Sequence, residues 1–101
     1  MRGNTENGSS AEPGYRRWLV SGKVQGVGFR YHVLQFAESV GVVGDVRNLD
    51  DGRVEIRAQG SSDQLERLLE AVRRGPAWSQ VERVDSVEIA GPQHFERFRI
   101  R

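Results

Sequence analysis

The sequence predicts an α+β fold, an antiparallel β-sheet carrying two helices on one face. Three observations point to it. Two stretches place apolar residues at i, i+3, i+4 and i+7, the stripe of a half-buried helix. Several short segments alternate or are rich in β-branched residues, as strands are. Their order is strand, helix, strand, strand, helix, strand, with a short strand at the end, and two one-sided helices are best buried against one face of a sheet.

Residues 1–14 hold only Met1 and Ala11 as apolar side chains. Such a segment buries too little surface to offset the entropy of ordering it, so it reads as a flexible tail ahead of one domain spanning residues 15–101. The first strand starts at Tyr15, with Trp18 and Val20 on one face and Arg17, Leu19 and Ser21 on the other. It ends near Gly22. Val33, Phe36, Ala37 and Val40 then form the first helical stripe, and Gly41 suits its C-terminal cap. Val42 to Leu49 is apolar and β-branched enough for a second strand. Asp51-Gly52 marks a hairpin turn. From Arg53 to Gln59 the chain alternates, Val54, Ile56 and Ala58 toward the core and Glu55, Arg57 and Gln59 toward water.

Ser61-x-x-Gln64 is a capping box that opens the second helix. Its stripe is Leu65, Leu68, Leu69 and Val72. Arg73 and Arg74 favour the last turn, and Gly75-Pro76 ends it. Val81 to Ile89 reads as a strand with a phase slip between Val84 and Val87, the sign of a bulge. Phe98 and Ile100 mark the final strand. This order is that of the ferredoxin-like α/β sandwich. Trp18 and Trp78 read as packing residues.

Composition narrows the function. The 101 residues include 15 Lys and Arg against 14 Asp and Glu, a formal charge of +1, with 37% hydrophobic and 29% charged residues. Near-neutrality excludes a nucleic-acid binder that works through bulk charge, although not one with a local patch. The chain has no cysteine, which excludes disulfides, thiolate metal sites and cysteine nucleophiles. His32 and His94 lie far apart without ligand spacing, so no metal is expected. No apolar run approaches the ~20 residues that cross a bilayer, and the N-terminus has no secretory pattern, so the expected place is the cytoplasm. A domain this small buries only about two-thirds of its unfolded surface, so a shallow site built from backbone and loops is expected.

The segment with chemical promise is Gly22-Lys23-Val24-Gln25-Gly26-Val27-Gly28-Phe29-Arg30, between the first strand and the first helix. Three glycines let the chain turn tightly with bare amides, and the helix start adds unpaired N–H groups and partial positive charge. Such a bend can cradle a phosphate, and Arg30 can fork onto two of its oxygens. On spacing alone the glycines equally suit a tight connection and Arg30 a solvated position. No Gly-Lys-Ser/Thr follows, so this is not a nucleotide P-loop.

Gly22-x-Val24-Gln25-Gly26-Val27-x-Phe29-Arg30 resembles the signature of the acylphosphatases. So do Gly44-x-Val46-x-Asn48, Asp51-Gly52-x-Val54-Glu55 and Gly60 after it, and the closing Arg74-Gly75-Pro76, Val81, Val84 and Phe95-x-x-Phe98. The resemblance covers about Tyr15 to Arg101. It implies the ferredoxin-like sandwich and hydrolysis of acyl phosphates to a carboxylate and inorganic phosphate, with no metal or organic cofactor. It further implies that Arg30 binds the phosphate, that Asn48 positions the attacking water, and that the amides of Gln25, Gly26, Val27, Gly28, Phe29 and Arg30 complete the cradle. The expected partners are the small acyl phosphate and inorganic phosphate, with no nucleic acid, no membrane, and a monomeric chain.

Some residues depart from the family pattern. His32 stands where relatives usually carry an aromatic residue; it could line the site, though a partly exposed helix position suits it better. Asp45 replaces a bulky residue and, if it faced the site, would oppose a phosphate. Asp50 stands where many relatives have Pro. Alternatives from other classes remain: an RNA-binding module of the same fold, for which Arg53 to Gln59 offers no exposed aromatic, and a domain that binds a small anion without turning it over. A detached domain of a larger carbamoyl-transfer enzyme is a third, and the end of the chain just after the last strand favours a free-standing enzyme.

Overall fold

A computed structural model describes residues 14–87 and 94–101. The elements are β1 (Gly14–Lys23), α1 (Phe29–Val40), β2 (Val43–Asn48), β3 (Val54–Gly60), α2 (Ser62–Arg74), β4 (Gln80–Val87) and β5 (Phe98–Ile100). They form a five-stranded sheet in the order β4-β1-β3-β2-β5. The pairs β1–β3, β1–β4 and β2–β3 are antiparallel. β5 runs parallel to β2, so the sheet is mixed rather than purely antiparallel. The reason is positional: β5 joins the edge opposite β4 and runs in the direction of its neighbour β2. β1 begins at Gly14, one residue inside the segment expected to be tail, and residues 1–13 lie outside the described residues.

Both helices pack on one face of the sheet and against each other. Trp18 and Val20 of β1, Val46 of β2, and Val54, Ile56 and Ala58 of β3 meet Phe29, Val33 and Ala37 of α1 and Leu65, Leu68 and Val72 of α2 in one core. Each large apolar side chain so buried contributes about 1.5–3 kcal/mol, which is what holds helices this short in place. The Ser61–Gln64 capping box forms as read from the sequence, with both reciprocal hydrogen bonds present. Gly41 closes α1 by donating its N–H to the carbonyls of Ala37 and Glu38.

Three sequence expectations change, and a fourth falls outside the described residues. The bulge expected between Val84 and Val87 is instead a register shift where Ser21 pairs with Arg83 and Gly22 with Val81, leaving Glu82 as the extra residue. From Val84 to Val87 the strand pairs with β1 in unbroken register. Residues Glu88 and Ile89 of the predicted strand lie outside the described residues. Trp78 is 80% exposed and packs on nothing substantial. Glu55 does not face water. It is 3% exposed, because arginines from three neighbouring strand positions close over it.

Candidate active site

The loop between β1 and α1 enters helix α1 through two glycines in left-handed conformation, Gly26 at φ 75° and Gly28 at φ 80°. Only glycine holds such angles without a steric penalty. Gly28 is the N-cap of α1, with no side chain capping the helix and no acidic residue in the first turn. Among the described residues, none of the main-chain N–H groups from Gln25 to Arg30 donates to a protein acceptor. The first protein bond of the helix start is His32 N–H to the carbonyl of Gly28, at 3.0 Å. Several bare amides and the positive end of a helix thus converge on one bend, the arrangement that binds an oxyanion.

Arg30 is half-buried at the mouth of a hollow of about 160 Å³ that it shares with Gly26, Gly28, Tyr31 and Ile100. Among the described residues its guanidinium makes no ion pair or hydrogen bond. It stands beside the bare amides as a permanent cation with all its donors available. Val27 packs partly against the core, and Phe29 is 1% exposed within it. Phe29 can therefore offer a ligand only its amide, and its ring anchors the bend.

For Gln25 the expectation concerns only the main-chain amide. Its side chain is spent on the fold: Nε2 donates to the carbonyls of Leu49 at 2.8 Å and Arg53 at 2.9 Å. Only its main-chain amide remains for a ligand. These two carbonyls flank the turn between β2 and β3, which Leu49 and Arg53 close through a further bond of 2.8 Å. Asn48, the last residue of β2, immediately precedes that turn and is exposed. On the other side of Asn48, Arg47 is held by Glu55 at 2.7 Å. The side-chain hydrogen bond from Arg53, aided by its main-chain amide, holds the Asp51 carboxyl below its ordinary value of 3.8. The bend and the turn bearing Asn48 are therefore one braced unit.

The three departures are resolved. His32 points to α2, with Nε2 3.0 Å from the carbonyl of Ala71 and its ring 5.0 Å from that of Phe36. Asp45 is 5% exposed, paired with Arg57 and Arg101 on the sheet face away from the helices, and does not line the Arg30 hollow. Asp50 is an exposed turn residue. Sequence reading missed Tyr31 and Ile100 as lining residues. Tyr31 follows Arg30 directly and could have been suspected. Ile100 reaches the hollow only because β5 pairs in parallel with β2, which no local pattern announces.

The family model for acylphosphatase matches residues 16–100. A curated acylphosphatase of Solibacter usitatus is 45% identical over 86 residues, covering 85% of this chain and 88% of the relative. The crystal structure of acylphosphatase from Bacillus subtilis superposes with a TM-score of 0.83 at 40% identity, over 89% of this chain and 99% of that one. An acylphosphatase structure from Coxiella burnetii gives 0.81 at 38% identity, over 88% and 93%.

Proposed function

The chain belongs to the acylphosphatase family and hydrolyses the carboxyl–phosphate bond of acyl phosphates; from that premise we propose that Arg30 and the amides of Gln25 to Arg30 hold the phosphate while Asn48 positions the attacking water. The observation that carries this reading is the set of amides that find no acceptor among the described residues, next to an Arg30 guanidinium that makes no ion pair among them, in a bend braced by Gln25 to the turn that follows Asn48.

In this mechanism the substrate phosphate sits in the bend, its oxygens receiving main-chain N–H bonds and the fork of Arg30. The side-chain carbonyl of Asn48 accepts a hydrogen bond from one water and aims its oxygen at phosphorus, opposite the carboxylate. The water oxygen forms the new P–O bond as the bond from phosphorus to the acyl oxygen breaks, and the electron pair leaves with the carboxylate. A carboxylate is a good leaving group and needs no strong general acid. The water proton passes to a phosphate oxygen, since neither a carboxamide nor a guanidinium accepts it. Phosphoryl transfer asks chiefly for positioning and for stabilisation of charge on the equatorial oxygens, which these groups supply. All of them belong to one chain, in keeping with a monomer working on a small substrate in the cytoplasm.

The test is hydrolysis of an aromatic acyl phosphate without added metal, by the natural chain and by Arg30→Gln and Asn48→Ala. Losses of roughly a hundredfold in each variant with the fold intact support the assignment, being the size seen when a transition-state donor or positioner is removed. Near-natural rates in either variant overturn it.

A further inference from the structure

The helix-free face of the sheet carries a charge pattern that the net charge of +1 conceals. Glu55 and Asp45 lie at its base with side chains only 4% and 7% exposed. Above them stand Arg17, Arg47, Arg57 and Arg101, with side chains 23–43% exposed. Arg17 and Arg47 spend Nε on Glu55, at 2.7 Å each, and Arg101 spends Nε on Asp45 at 3.1 Å. Arg101 also turns a terminal nitrogen to Glu55, at 3.7 Å, so the buried carboxylates fix where these guanidinia stand. Arg97 and Arg99 join Arg57 and Arg101 around a hollow of about 340 Å³ on the same face, and both are exposed without an ion pair among the described residues. Six guanidinia over the three carboxylates of Asp45, Glu55 and Glu96, the last lining the same hollow, leave a local excess of three positive charges. Ordinary cross-strand pairing explains the first four arginines and leaves Arg97 and Arg99 unexplained.

An aromatic element completes the surface. Phe95 lies with its ring 5.4 Å from the guanidinium of Arg57 and 6.2 Å from the ring of Tyr15 on β1. The expectation of no nucleic-acid partner rested on β3 lacking an exposed aromatic. The fold brings Phe95, half-buried, to this face from the far end of the chain instead. We propose that this arginine-covered sheet face is a docking surface for single-stranded nucleic acid, with phosphates on the guanidinia and a base stacked at Phe95. Three features favour this partner over an acidic polypeptide: the cations named are all arginine, whose planar fork suits phosphate; four of them are preorganised by buried carboxylates; and they adjoin the tilted ring pair of Phe95 and Tyr15. The surface is separate from the Arg30 hollow and the proposal does not depend on the catalytic assignment.

The experiment is fluorescence anisotropy of the full chain with a labelled oligouridylate or oligothymidylate of about 20 nucleotides. With about three phosphates neutralised, the logarithmic salt slope is about −2, which is roughly a twentyfold loss of affinity between about 50 and about 200 mM salt. The double variant Arg97→Gln/Arg99→Gln, which breaks no ion pair among the described residues, lowers that slope to about −0.7 and leaves acyl phosphate hydrolysis unchanged. Phe95→Ala weakens binding about tenfold or more, with a thermal melt as its folding control. Absence of binding at low salt, binding indifferent to the double variant, binding lost in Arg30→Gln, or displacement by polyglutamate as readily as by unlabelled oligonucleotide would each overturn the proposal.

Discussion

Gln25 donates from one nitrogen to two carbonyls on either side of the β2–β3 turn, that of Leu49 at 2.8 Å and that of Arg53 at 2.9 Å. A side chain from the bend proposed to bind the anion thus ties it to the turn after the strand end that carries Asn48. Both acceptors are carbonyls, so a side chain without a donor leaves them unpaired, at about 1–3 kcal/mol for each buried group. Gln25→Leu is expected to lower kcat about tenfold or more while weakening inorganic phosphate binding less, because the bend persists but its registry with Asn48 does not. A double-mutant cycle with Asn48→Ala checks this: the two losses should be far from additive.

Gly28 caps α1 at φ 80°, and a Cβ built there meets nothing within 4 Å. The cost of Gly28→Ala is therefore backbone strain alone, about 1–2 kcal/mol in urea denaturation. Gly28→Asn should cost less, since Asn tolerates this conformation better.

Glu55 accepts from Arg17 and Arg47 at 2.7 Å each. Burial pushes its carboxyl upward, but the hydrogen bonds from Arg17 and Arg47 outweigh burial and hold it below the ordinary value of 4.5. A carboxyl depressed in the folded state contributes stability that is fully present above about the unfolded value and is lost as pH falls through the folded one. Denaturation midpoints should therefore decline below about pH 4.5, the ordinary value of Glu. Glu55→Gln should remove part of that acid sensitivity while lowering stability at neutral pH by about 1–3 kcal/mol, the partly exposed arginines keeping the loss below that of a fully buried pair.

Trp78 is 80% exposed and Trp18 is 2% exposed. Trp78→Ser should change stability by no more than about 0.5 kcal/mol, whereas Trp18→Ala should cost about 3–5 kcal/mol. Denaturation curves of the two variants check this.

Much of this structure is readable in the chain. The helices follow from their apolar spacing, and the second from its Ser61–Gln64 box. The bend announces itself by Gly26 and Gly28 beside Arg30. What escapes reading is set by partners distant in sequence. Glu55 looks like the solvent side of an alternating strand until Arg17, Arg47 and Arg101 arrive from other strands. The parallel setting of β5, and with it Ile100 near Arg30, depends on which sheet edge the chain joins. Gln25 lies within the motif, but the motif does not tell whether its amide or its side chain is the working part.

The most direct measurement pairs two readouts on Asn48→Ala: the turnover of an acyl phosphate, and the thermal stabilisation given by inorganic phosphate. If the bend and Arg30 grip the anion while Asn48 aims the water, turnover falls roughly a hundredfold and the stabilisation by phosphate is retained. Turnover that survives the substitution, or phosphate stabilisation that disappears with it, would contradict that division of labour.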